Sequence, residues 1–292
     1  MKFSTSILFP LAAGAFASAS GSTSTITITS NKLTRSFLLW VSSTYSSKTP
    51  GSVLLSFHGG NKTAKDQLEL DGFTTADTNA VSIVVYPQGV KGVPGDTIND
   101  VLFTNDILDY LESKYNVDTA RIYASGKSDG GGFCNILACD ARASRRIAAF
   151  APVSGAFYVA ASPCHPDTVP LLARCRGRAD VPLIEFHGGN DSTIHYAAQW
   201  ALRNELGLQN QTSAVAPNTV AYKYGSGDKA GLVTHVFESD IGHDWPSTAP
   251  NADNSKKGPP CGELQCHAHH FGLFFQISLT AWSFDRDTTS EK

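Results

Sequence analysis

Gly126-Lys127-Ser128-Asp129-Gly130 is a G-x-S-x-G pentapeptide, set between an apolar run that starts at Arg121 and a helical pattern that starts near Gly130. In such a context a sharp strand-to-helix turn lifts a serine above the end of a sheet. The flanking glycines leave out the Cβ atoms that would collide in so tight a turn. The helix that follows aims its first N–H groups at the serine, which suits a site where an oxyanion must form. A serine hydroxyl is a poor nucleophile until a base removes its proton, so the chemistry requires a histidine and an acid to orient it. Two later stretches supply them. His187-Gly188-Gly189-Asn190-Asp191 closes the apolar run Pro182 to Phe186, and Gly242-His243-Asp244-Trp245-Pro246 follows the run Val233 to Glu238.

The roles then follow from chemistry. Ser128 is the candidate nucleophile, His243 its base and later the acid toward the leaving group, and Asp191 the group that holds the imidazole in the right tautomer. The backbone N–H of Asp129, with one from the glycine-rich His58-Gly59-Gly60 stretch, is the expected oxyanion hole. Asp180 and Asp228 compete with Asp191, but neither directly follows a strand. His187 reads as a packed loop residue. His267, His269 and His270 sit beside Cys266, where a metal cluster is conceivable. The Cys261–Cys266 spacing matches zinc sites poorly, so a disulfide is the stronger reading there, and neither metal nor cofactor is expected.

These residues need elements to carry them. Thr25 to Ser30 and Arg35 to Val41 read as strands, as do Ser52 to Phe57, Val81 to Tyr86, Ile147 to Val153, Pro182 to Phe186, Thr219 to Tyr224 and Val233 to Glu238. Helical spacing marks Thr63 to Leu70, Asn99 to Tyr115, the segment after Ser128 to about Ala141, Ile194 to Leu206 and Phe271 to Phe284. Residues 158–181 read as a surface excursion. Alternating strands and helices predict a mostly parallel central sheet flanked by helices. All strand exits of such a sheet share one edge, which brings His58-Gly-Gly, Ser128, Asp191 and His243 together. Ser, then Asp, then His is also the chain order of α/β-hydrolases.

With 292 residues the chain is long enough for a large core, and its net charge of −3 leaves no basic surplus for nucleic acid or an anionic membrane. Lys2, the apolar stretch Ile7 to Phe16 and Ala17-Ser18-Ala19 form a secretion-signal pattern over residues 1–19. Residues 20–292 are expected to form a single domain, secreted and monomeric. The six cysteines (Cys134, Cys139, Cys164, Cys175, Cys261 and Cys266) then allow up to three disulfides. Cys134 and Cys139 lie on one predicted helix and point in different directions, which argues against pairing them. Asn61 and Asn210 head glycosylation sequons; Asn190 heads a third, but adjoins Asp191.

Gly126-Lys-Ser-Asp-Gly-Gly-Gly132, Phe57-His-Gly-Gly-Asn61, Tyr86-Pro-Gln-Gly89, Ile147-Ala-Ala-Phe-Ala-Pro-Val153 and Gly242-His-Asp-Trp-Pro246 together resemble fungal feruloyl esterases. These belong with the acetylxylan-esterase and polyhydroxybutyrate-depolymerase-like secreted α/β-hydrolases. The resemblance runs from about Leu33 to Pro246. It implies a Ser128–Asp191–His243 triad and hydrolysis of ferulate or related hydroxycinnamate esters on plant-wall arabinoxylan. An acetylxylan esterase or polyester depolymerase is the alternative on the same scaffold, and a catalytically silent binding protein a remoter one. An aromatic acyl group requires an apolar slot, for which Phe157, Tyr158, Trp200 and Trp245 are the candidates. Asp129 sets a carboxylate beside the nucleophile, where relatives are expected to carry a neutral residue.

Overall fold

The computed structural model describes residues 20–75, 82–91, 98–155, 175–191, 197–247 and 251–254. The signal pattern at 1–19 and the predicted helix from Phe271 lie outside these residues. Ten strands form one sheet: β1 (Gly21–Ser30), β2 (Leu33–Ser42), β3 (Gly51–Phe57), β4 (Ile83–Pro87), β5 (Val117–Lys127), β6 (Ala149–Val153), β7 (Leu183–Gly188), β8 (Asn210–Ala216), β9 (Thr219–Tyr224) and β10 (Val233–Glu238). Their spatial order is β1-β2-β4-β3-β5-β6-β7-β10-β9-β8. The six central strands, β4 to β10, run parallel, while β1–β2 and β8–β9 are antiparallel additions at the two ends.

Strands covered on both faces read as unbroken apolar runs rather than alternations, and β3, β4 and β6 are buried at every residue. The alternation survives in where the side chains go. Val53, Leu55 and Phe57 of β3 pack beneath α2 (Asp100–Lys114), α3 (Asp129–Cys139) and α5 (Ala197–Arg203), whereas Leu54 faces the other layer. That second layer holds α1 (Ala64–Asp71), Phe73 and Trp245. Local chemistry sets the helix ends. Thr63 and Asp66 form a reciprocal capping box on α1, Gly72 closes it at φ 66°, and Asn99 Oδ1 accepts from Leu102 N to start α2.

Two elements escape the sequence pattern: the four-residue α4 (Ala143–Arg146) and the edge strand β8. Among the cysteines, Cys139 is bonded to Cys175, tying the end of α3 to the segment before β7. Cys134 is a free thiol rather than a disulfide partner, because its side chain turns into the core from the inner face of α3. Burial pushes that thiol well above its ordinary range. Cys164, Cys261 and Cys266 lie outside the described residues. Among the described residues no helix is long and apolar enough to cross a membrane.

Candidate active site

The turn between β5 and α3 places Ser128 at φ 56° and ψ −115°, a conformation L-residues rarely adopt. Neighbouring backbone holds it there: Ser128 N donates to Val153 O at 3.0 Å, and Ser128 O accepts from Gly132 N at 2.9 Å. The glycines are a packing requirement. A Cβ on Gly126 would lie 2.6 Å from the carbonyl carbon of Gly130, one on Gly131 would lie 2.7 Å from Gly155 Cα, and one on Gly130 would overlap the Phe57 carbonyl.

The loop leaving β3 presses on this elbow. A Cβ on Gly59 would sit 3.5 Å from Ser128 Cβ, and Gly60 packs against the Asp129 carboxylate. His58 fixes the loop. Its Nε2 accepts from Gly89 N at 2.9 Å, so Nδ1 carries the proton and donates to Gly59 O at 2.8 Å. Because the peptide is planar, pinning the Gly59 carbonyl turns the Gly60 N–H the opposite way, off the His58 ring.

Two strands away, the loops after β7 and β10 are woven together. Gly189 N donates to Glu238 O at 2.6 Å and Asn190 N to Ile241 O at 3.0 Å. They bring Asp191 and His243 into contact, with Nδ1 to Oδ2 2.8 Å, the carboxylate buried and the imidazole 38% exposed. Nδ1 must carry the proton to donate to that carboxylate, leaving Nε2 as the open lone pair. The histidine loop is also tied to the elbow side. Ser154 Oγ donates to Asp244 O at 3.3 Å, and Asp253 accepts from Trp245 N at 2.9 Å while pairing with Lys127 at 2.9 Å. Ser128, Asp191 and His243 therefore leave parallel strands at one sheet edge. Among the described residues Ser128 Oγ makes no hydrogen bond with His243.

Behind Asp191 lies a buried run of ionisable groups that sequence reading did not assemble. His187 Nε2 is 3.2 Å from Asp191 Oδ2, its Nδ1 is 3.3 Å from Glu185 Oε1, and His235 Nδ1 is 3.4 Å from Glu185 Oε2. Burial alone would raise Glu185, but His187 and His235 outweigh it and bring the carboxyl down to about 2. Burial would likewise lower His187, yet the two carboxylates hold it above the ordinary imidazole range. The signal that would have found this chain is strand register: His235 is the cross-strand partner of Glu185.

A cleft of about 680 Å³ opens beside the elbow, with Gly59, Gly60, Asp129, Phe57, Phe103, Phe133 and Ile136 among its lining residues. Arg35 lies along it, paired to Asp100 at 2.6 Å and set 4.1 Å over the Phe103 ring. These phenylalanines are apolar lining that sequence reading passed over. The aromatics it selected lie elsewhere. Trp245 is 1% exposed and packs edge-on to Phe73, and Trp200 is fully buried with its Nε1 donating to Asn135 Oδ1 at 3.0 Å. Neither offers a free face, since both fill core volume; Phe157 and Tyr158 lie outside the described residues, as do His267, His269 and His270. Asn61 and Asn210 are both exposed.

Comparison with solved structures decides the fold. An acetyl xylan esterase from Aspergillus awamori superimposes with a TM-score of 0.59 over 76% of this chain and 95% of its own, at 20% identity. The feruloyl esterase module from Clostridium thermocellum in complex with sinapinate gives 0.57 over 84% and 91%, at 14% identity. The chain has the α/β-hydrolase fold. It matches no protein-family model. Among curated proteins the chain is 28% identical over 215 residues to a bifunctional acetylxylan esterase/xylanase of Neocallimastix patriciarum, covering 69% of the chain and 30% of that protein. It is 31% identical over 149 residues to feruloyl esterase B of Piromyces equi, covering 48% of the chain and 24% of that protein. Feruloyl esterase D of Neurospora crassa is 28% identical over 154 residues, 51% of the chain and 48% of that protein. The chain thus spans half or less of the length of these curated relatives.

Proposed function

We propose that the chain is a secreted serine carboxylesterase that hydrolyses feruloyl or related hydroxycinnamoyl esters on plant-wall arabinoxylan. The observation that carries the reading is the Asp191–His243 hydrogen bond at the sheet edge that also holds Ser128 in its strained turn. Relatives named feruloyl esterase support the acyl group. His243 Nε2 takes the Ser128 proton as Oγ attacks the ester carbonyl carbon, and Asp191 stabilises the resulting imidazolium. The N–H groups of Asp129 and Gly60 receive the oxyanion. Collapse breaks the ester C–O bond, His243 protonates the departing sugar hydroxyl, and the acyl group stays on Oγ. A water deprotonated by His243 then attacks the acyl carbonyl; the acyl C–Oγ bond breaks, His243 returns the proton to Ser128 Oγ, and the acid leaves. The apolar surface that half-buried Phe133 and exposed Ile136 present to the cleft suits an aromatic acyl group.

The second reading, an acetylxylan esterase, is favoured by the relative that matches the largest share of the chain. One experiment separates them: acid release from methyl ferulate beside acetate release from acetylated xylan, for wild type and Ser128→Ala. Ferulate release that falls about 10⁴-fold or more in the variant supports the first reading. Serine-dependent acetate release without ferulate release hands the substrate to the second. Turnover unchanged by Ser128→Ala refutes the nucleophile. Secretion rests on residues 1–19, and the reading takes the enzyme to act as a monomer without metal or cofactor.

A further inference from the structure

We infer that His187 is a positioning residue of the active site: an imidazolium braced between Glu185 and Asp191 that fixes the acid and sets the pH range in which His243 works as a base. The inference rests on the Ser128–His243–Asp191 reading.

His187 and His243 share a single oxygen. Nε2 of His187 is 3.2 Å and Nδ1 of His243 2.8 Å from Asp191 Oδ2. The side chains of His187, Glu185 and Asp191 are 0–1% exposed, so the charges face one another with little solvent between them. His243 Nδ1 donates to that oxygen, while His187 Nε2 approaches it as an ion-pair contact without hydrogen-bond geometry; set between the two rings the carboxylate is confined, which an acid orienting an imidazole needs. A fixed positive charge there also offsets part of the field that Asp191 exerts on His243.

Among the described residues, the other groups that face this chain come from three elements. From β10, His235 reaches Glu185 at 3.4 Å. From β9, Tyr222 stacks on His235 with centroids 6.0 Å apart, and Tyr224 is raised by burial and by the Glu185 charge. From α5, Arg203 is bonded to Gly177 O and Asn204 Oδ1. Glu238 shares the face of Val236, on the other side of the sheet.

The test is the pH profile of kcat/KM on an activated ester for wild type and His187→Gln, whose amide can still donate toward Asp191 but carries no charge. The acidic limb is expected to move to higher pH by about one unit. A rate lost evenly at every pH, with the limb unmoved, overturns the inference. Should His187→Gln not fold, the imidazole ¹⁵N spectrum of the wild-type chain decides: two protonated nitrogens on His187 at neutral pH support the inference, and a neutral ring overturns it. Ser128→Ala and His243→Ala are run alongside. If either keeps turnover, the triad reading has failed; if both lose it while the His187→Gln limb stays put, the present inference alone has failed.

Discussion

Replacing Asp71 with asparagine should change how stability depends on pH. Asp71 closes α1 and sits fully buried between β3 and β4, where it accepts from Ser56 Oγ at 2.6 Å, Tyr86 OH at 3.0 Å, Phe73 N at 3.0 Å and Gln67 Nε2 at 3.4 Å. Burial raises the carboxyl from 3.8 to about 7, against the pull of those four donors. Between these values the folded chain keeps a proton that the unfolded chain has released. The stabilisation is therefore complete below about pH 4 and is lost as pH rises toward 7. One group in this window contributes about 1.4 kcal/mol per pH unit, so between pH 5 and pH 7 the wild type should lose about 3 kcal/mol of unfolding free energy from Asp71. The amide of the variant cannot titrate. It meets Ser56, which already accepts from Gln67, so Asp71→Asn should be less stable at pH 5 by about 1–3 kcal/mol. That gap should close as pH rises. Urea melts at pH 5, 6, 7 and 8 measure both slopes. If wild type and variant fell in parallel, the four donors would be keeping Asp71 ionised in the fold and the reasoning would be refuted.

Glu238, raised to about 7 by burial and by Asp240, should add a decline of the same sign, so Glu238→Gln should flatten part of what Asp71→Asn leaves in the same melts. Gly130→Ala should yield little folded protein, since its Cβ would overlap the Phe57 carbonyl and neither strand nor helix can withdraw; soluble expression and circular dichroism check this. Reducing Cys139–Cys175, which spans 36 residues, should lower unfolding free energy by about 4 kcal/mol on loop-closure grounds, read as a shift in urea midpoint with and without dithiothreitol.

The elements that position the site were legible because burial left a strong pattern. β3, β4 and β7 are covered on both faces and so appear as continuous apolar runs, and the elbow glycines are dictated by contacts any residue with a Cβ would break. β8 was not legible. Asn210-Gln-Thr-Ser-Ala-Val-Ala lies at the sheet edge with its first three residues exposed, so no buried face imposed a period on it. Within the site, the strand exits of Asp191 and His243 foretold their meeting, but the approach of His235 to Glu185 depends on β7–β10 register, which no local pattern records. Trp245 and Trp200 misled for a related reason. An aromatic near a catalytic motif and one filling core volume look alike until packing shows which face is covered.

The β1–β2 hairpin offers a handle for engineering. Asn31 and Lys32 turn it with φ of 47° and 65°, and β2 pairs with β4 only from Phe37 onward. Leu33 to Ser36 therefore run past the end of β4 on the side where the loops carrying Ser128, Asp191 and His243 emerge, by about 13 Å at strand rise. In the sheet order β2 stands three strands from β5, a lateral offset of about 14 Å from the elbow. A carbohydrate-binding peptide or a surface-immobilisation tag grafted between Asn31 and Lys32 would present its cargo on the same edge of the sheet as Ser128, without entering any parallel strand.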